Sequence, residues 1–185
     1  MFKLLALSGS LRAASINSAL CRAVARLAPP SLRVEVFVQL GELPLFNPDR
    51  EGDPPASVRA LRCAVAEADA LLVASPEYAH GIAGPMKNAL DWLVSFEGVV
   101  GKPVALVNAS PRAHHAYDAL REVLQTMSTR IVPEASVTLP LLGACITEDA
   151  MVESAEIRGG IAAMCDALLG HLGGTGAHGP SFPLR

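Results

Sequence analysis

Between Leu7 and Asn17 the chain reads "LSGSLRAASIN", with three serines, one arginine, one asparagine and one glycine. This is a set of hydrogen-bond donors gathered around one planar cation. Ser10, Ser15 and Asn17 can present neutral donors, and the Arg12 guanidinium is a fork that matches phosphate oxygens. Gly9 lets the backbone turn tightly. The residues that follow read as a helix, and a helix start offers unpaired N–H groups and a positive partial charge to an anion. This stretch holds neither G-x-x-x-x-G-K-[ST] nor G-x-G-x-x-G. A loop built on hydroxyls rather than glycines suits a terminal monophosphate better than a buried pyrophosphate. The competing reading gives Ser15 only a structural task, capping the helix.

A second stretch, "SPEYAHGIAGPMKNALDW", runs from Ser75 to Trp92. It opens on Ser-Pro, a turn signal, and carries two glycines and a second proline. Without a bulky apolar run, its backbone N–H and C=O groups are free to face a ligand. The uracil-like edge of an isoalloxazine, with alternating acceptors and a donor, is one such ligand. Tyr78 adds an aromatic face and His80 a polar edge.

Both stretches must be positioned by flanking elements. Lys3–Leu7 is an apolar run too short for a helix, and Ile16–Ala28 has helical spacing up to Pro29-Pro30. Leu32–Val38 alternates as a strand with one face less buried. A Pro- and Gly-rich loop fills Gly41–Pro55. Helices are expected over Ala56–Ala68, Gly84–Phe96, His114–Thr129 and Asp149–Leu169. Strands are expected over Ala70–Ala74, Lys102–Ala109 and Ala135–Leu139. Alternating strands and helices predict an α/β three-layer sandwich, with a five-stranded parallel sheet in the flavodoxin-like order 2-1-3-4-5. Ligands of such sheets sit beyond the carboxyl ends of the strands. The polar stretches fall there, after the first and third strands. One domain over residues 1–172 is expected, followed by a C-terminal tail over 173–185.

The two stretches in order resemble the NADPH-dependent FMN reductase family, which includes quinone, chromate and azo reductases. Its pattern GSxRxxSxN is met by Gly9, Ser10, Arg12, Ser15 and Asn17. Its pattern [ST]PEYNxSxPGxxKNAxDW is met at Ser75, Pro76, Glu77, Tyr78, Lys87, Asn88, Ala89, Asp91 and Trp92. The resemblance covers about the first 130 residues. It implies bound FMN, with NADPH or NADH as electron donor, and a homodimer or homotetramer. It implies that Ser10, Leu11, Arg12, Ser15, Ile16 and Asn17 hold the phosphate. It implies that Pro76, Glu77, Tyr78, Ala79, His80 and Gly81 border the flavin, joined by Ser110. Flavin N5 then carries the chemistry, so no protein residue is expected to be catalytic. The chain departs from the pattern at Ala79, where Asn is usual, and at Ala83, where Pro is usual. Its loop after the fourth strand, "SPRAHHAYDALREVL", is shorter and lacks the family's paired glycines.

Other readings compete for the same residues. Glu77 suits a turn or helix-capping role. Lys87 and Asp91, four apart, suit an ordinary ion pair. Trp92 suits packing more than flavin stacking. His114 and His115 are expected to border the substrate pocket rather than bind a metal, since no third ligand is apparent. The third helix, with Met86, Leu90, Trp92, Leu93 and Val94, carries more apolar surface than one sheet contact requires, which predicts a dimer contact.

Composition narrows the class. The 185 residues are 51% hydrophobic and 18% charged, so a packed globular protein is expected. Net charge is −3 with no basic run, which argues against nucleic acid as a partner. Cys21, Cys63, Cys145 and Cys165 are widely spaced and read as small apolar residues of a reducing, cytoplasmic protein. No apolar run approaches a membrane span. The expected function is ping-pong transfer of electrons from NAD(P)H through FMN to a quinone-like or other small acceptor. Two alternatives remain open: a reductase that supplies free reduced FMN, and a non-enzymatic FMN electron carrier or sensor.

Overall fold

Three apolar runs form the centre of a parallel sheet. They are β1 (Phe2–Ser8), β3 (Ala70–Ala74) and β6 (Pro103–Asn108), flanked on the outside by β2 (Leu32–Phe37). The computed structural model describes residues 1–110, 114–141 and 146–174. Leu4 pairs with Ala70, Leu5 with Leu71 and Ala6 with Leu72 across β1 and β3. Side chains alternate between faces, so Leu4 and Ala6 join one core and Leu5 and Leu7 the other. Both faces are covered, which is why β3 is buried throughout and its sequence does not alternate. α1 (Ile16–Leu27) and the last helix, α6 (Ala155–Gly174), pack on the first face. α2 (Ala56–Glu67), α3 (Gly84–Leu93) and α4 (His114–Thr126) pack on the second. At the outer position, β2 buries less of itself, as its alternation predicts.

The fifth strand differs from expectation. Its place is shared by two short strands beside β6, β7 (Arg130–Ile131) and β8 (Val137–Thr138). Pro133 opens a 3₁₀ turn between them, and proline has no N–H to continue a ladder. The interruption leaves Leu106 N–H without a strand partner, and Ser136 repairs this. Its hydroxyl accepts from Leu106 N at 3.1 Å and donates to Val132 O at 2.8 Å. The helix expected over Asp149–Leu169 is likewise divided, into α5 (Glu148–Glu153) and α6. Thr147 caps the start of α5, and Ser154 Oγ accepts from Ile157 N at the start of α6. The tail expectation falls largely on residues 175–185, which lie outside the described residues, as do Cys145 and Pro111 to Ala113 of the fourth loop.

The expected apolar surface of α3 is not on the outside. Met86, Leu90, Trp92 and Leu93 are buried within this chain, and of the residues named only Val94 is exposed. The reason is the Gly41–Pro55 loop, which folds over the helix. Trp92 Nε1 donates to Pro44 O at 2.8 Å, and its ring meets Phe46 edge-on at 5.1 Å. Phe46 N donates to Asn88 Oδ1 at 2.8 Å. Trp92 is therefore a packing residue. Lys87 and Asp91 form the (i, i+4) pair at 2.6 Å. Among the described residues no helix is long and apolar enough to cross a membrane.

Candidate active site

β1 ends at Ser8, and Gly9 N continues the ladder by donating to Ala74 O at 2.8 Å. Gly9 is pressed against the end of β3. A Cβ there would stand 2.5 Å from Ser75 Oγ and 3.0 Å from Met86 Cβ, so glycine is required by space. The loop beyond it is held by its own hydroxyls. Ser8 and Ser18 share a hydrogen bond of 2.8 Å, and Arg12 N donates to Ser10 Oγ at 3.4 Å. Ser15 is the N-cap of α1, its Oγ accepting from Ser18 N at 3.2 Å. Ile16 packs half-buried against the core.

Two groups in this loop have no such internal use. Asn17 is buried in the first turn of α1, and among the described residues its Oδ1 has no hydrogen-bond partner. Arg12 is exposed and has no carboxylate partner among the described residues. Its neighbour along α1 behaves differently: Arg22 is held by Glu148 at 2.7 Å, and Arg26 by Asp149 at 2.6 Å. A cavity of about 340 Å³ opens on the β2 side of the loop. Ser8, Ser10, Arg12, Ser18 and Arg22 form its polar wall, with Phe37 and Leu40 opposite. Leu11, though exposed, rests on the chain here, since a Cβ on Gly41 would meet it at 2.9 Å. Sequence reading missed Ser18 and Arg22. Their signal was present, because they are four apart and share a face of α1 with the loop.

The second stretch forms a small hairpin, β4 (Glu77–Tyr78) and β5 (Gly81–Ile82). Its two turn residues are Ala79 and His80, with φ of 50° and 58°. Neither is glycine, and left-handed backbone at such residues is strained. Ser75 Oγ donates to Pro76 O at 3.3 Å at the entrance. Tyr78 is exposed. Glu77 turns back to cap α4, its Oε2 accepting from Ala116 N at 2.9 Å. That N–H holds the carboxyl below the usual carboxylate range, opposed by desolvation and aided by His115, His80 and His114. The three imidazoles form a row: His80 stacks on His115 at 4.2 Å, and His115 lies 4.1 Å from His114. Ser110, just past β6, donates its N–H to Asn108 Oδ1 at 3.1 Å. The structure thus brings Gly9, Ser75 and the hairpin together, with His114 and His115 beside the hairpin.

Residues 2–141 match the family described as NADPH-dependent FMN reductase. The chain belongs to that family. Its members are oxidoreductases that work with FMN and NAD(P)H. Among its relatives is a 2-hydroxy-1,4-benzoquinone reductase from a Burkholderia species, 40% identical over 58% of this chain and 60% of that protein. A quinone reductase from Pseudomonas putida is 38% identical over 64% of this chain and 66% of that one. The matched segments thus span 60–66% of the length of these relatives. In structure, the chain resembles the flavoenzyme FerB, an NAD(P)H:(acceptor) oxidoreductase from Paracoccus denitrificans. The TM-score is 0.70 at 28% identity, covering 92% of this chain and 99% of FerB. The sheet order β2-β1-β3-β6-β7 is that of the flavodoxin-like reductases.

Proposed function

We propose that this member of the family is an FMN-dependent NAD(P)H oxidoreductase that reduces quinone-like small acceptors. The observation that carries the reading is the contact of Gly9 with Ser75, which joins the phosphate-suited loop and the hairpin into one site. The relatives' names supply the acceptor class.

The residues present fit the cofactor. Among the described residues, Asn17 has a buried polar atom without a partner and Arg12 is a cation without a carboxylate. Both suit a phosphate at the start of α1. The amide of Asn17 can turn to present its NH₂. Ser15 can donate its hydroxyl proton to an anion while still accepting from Ser18 N. Ser10 would add a further hydroxyl, with the Leu11 and Ile16 backbone beside it. Pro76, Glu77, Tyr78, Ala79, His80, Gly81 and Ser110 would border the ring. When bound, FMN supplies the hydride chemistry. The chain would anchor and orient it through these residues, leaving it for donor and acceptor to use in turn.

A cytoplasmic location goes with this reading. Cys21, Cys63 and Cys165 are free thiols, and burial pushes the Cys21 thiol up to about 12, so it is inert. A homodimer or homotetramer would have to use surface other than the buried face of α3.

The test is steady-state oxidation of NADPH and NADH by the FMN-loaded protein, with benzoquinones and with free FMN as acceptors. Parallel-line kinetics with a quinone are expected. Tightly bound FMN with no turnover on any acceptor would make the protein a carrier or sensor instead.

A further inference from the structure

In that reading His80 only borders the ring, and the row it forms with His114 and His115 has no task of its own. His80 comes from the β4–β5 turn, and His114 and His115 from the first turn of α4, so only the tertiary fold assembles them. His80 and His115 stack at 28° and His114 is tilted at 35° to His115, so the contacts are made by ring faces rather than by the polar edges. Among the described residues none of the three makes a hydrogen bond or ion pair. All three are exposed. His80 is also held in left-handed backbone, so the chain tolerates strain to place that ring.

Among the described residues the surrounding charges are few. From β4 comes Glu77, whose carboxylate is engaged by Ala116 N–H. Tyr78 follows it, and β5 offers only Gly81 and Ile82. On α4 itself Asp118 lies one turn on from His114 and His115. The start of α4 adds a positive partial charge. Imidazole is the side chain that gains charge between about pH 5 and 8. Two cations stacked this closely repel, and an anion at their edges relieves the repulsion.

We propose that the exposed His80–His115–His114 row makes the protein selective for planar acceptors that carry a negative charge. It rests on the oxidoreductase reading above and narrows its substrate class. A sulfonated or ionised hydroxy-quinone lies with its charge at the imidazole N–H edges, while a neutral quinone of the same shape gains nothing there.

The test compares 1,2-naphthoquinone-4-sulfonate with 1,2-naphthoquinone on the FMN-loaded protein. The sulfonate stays ionised, so its preference reports the protein's charge. The ratio of kcat/KM for charged over neutral quinone should rise about tenfold from pH 8 to pH 5.5, the effect of one surface charge contact. His80→Gln with His115→Gln should flatten that ratio across the same range. Equal, pH-independent ratios in the wild type would overturn the proposal while leaving the oxidoreductase reading intact. If neither quinone is reduced, that reading falls, and equilibrium binding decides the proposal. Sulfonate dissociation constants from flavin fluorescence should tighten at pH 5.5, and pH-independent or absent binding overturns it.

Discussion

The loop after β1 and the hairpin after β3 face one site but are built in opposite ways. The first satisfies itself locally: Ser8, Ser10, Ser15 and Ser18 bond within ten residues of one another, and its glycine is fixed by space. The second is held from a distance. Its turn carries two strained non-glycine residues, and its Glu77 reaches 39 positions along the chain to Ala116. A locally satisfied loop can be recognised from its composition. For a loop held by distant partners, composition marks the stretch but not what holds it.

Breaking the first region should have the largest effects. Gly9→Val drives side-chain atoms into Ser75 and Met86, and overpacking of this kind costs about 1–3 kcal/mol or more. Urea denaturation should show that loss together with loss of FMN binding. A stable, FMN-competent Gly9→Val would mean the two loops are not tightly joined. Arg12→Ala should remove charge-assisted bonds worth about 1.5–3 kcal/mol, weakening FMN binding roughly ten- to hundredfold. Riboflavin, lacking the phosphate, should bind as before, and fluorescence titration of both flavins reads the contrast. Equal losses for both would move Arg12 out of the phosphate site.

The hairpin should respond less, and in one case favourably. At φ of 50°, Ala79 occupies a backbone conformation that asparagine tolerates better, which fits the family's usual residue there. Ala79→Asn should raise stability by about 0.5–1 kcal/mol, seen as a higher urea midpoint. No change would mean the turn relaxes in solution. The smallest effect is that of Glu77→Gln, which leaves the α4 cap with a weaker acceptor. Because the folded carboxyl is held below its ordinary range, its contribution is present above the unfolded pKa. It is lost as pH falls through the folded one. Wild type and variant should therefore differ at pH 7 and converge only once the pH falls below the usual carboxylate range, as thermal melts across acid pH would show. A difference that persists at acid pH would assign the effect to packing.

Much of the fold was legible because apolar strands and helical spacing are local signals. β3 falls on Ala70–Ala74 as its composition predicts, and the other long elements agree to within a few residues apart from the last helix, which is divided at Ser154 and runs on to Gly174. What was missed depended on distant partners. The division of the fifth strand follows Pro133, but Ser136 makes it tolerable only because Leu106 lies opposite. The apolar residues of α3 suggested a subunit contact, and only the fold shows the Gly41–Pro55 loop covering them through Pro44 and Phe46.

The sequence by itself determined the sheet's core and the loop that suits a phosphate, because both rest on residue types at short spacing. It also determined the resemblance that names the family. Tertiary structure alone decided which groups are already in use. It tied Glu77 to Ala116 at the start of α4, left Asn17 and Arg12 uncommitted among the described residues, and set His80 on His115. Hydrogen bonds and ring contacts between residues far apart in the chain form only once the backbone is closed, so no local pattern encodes them.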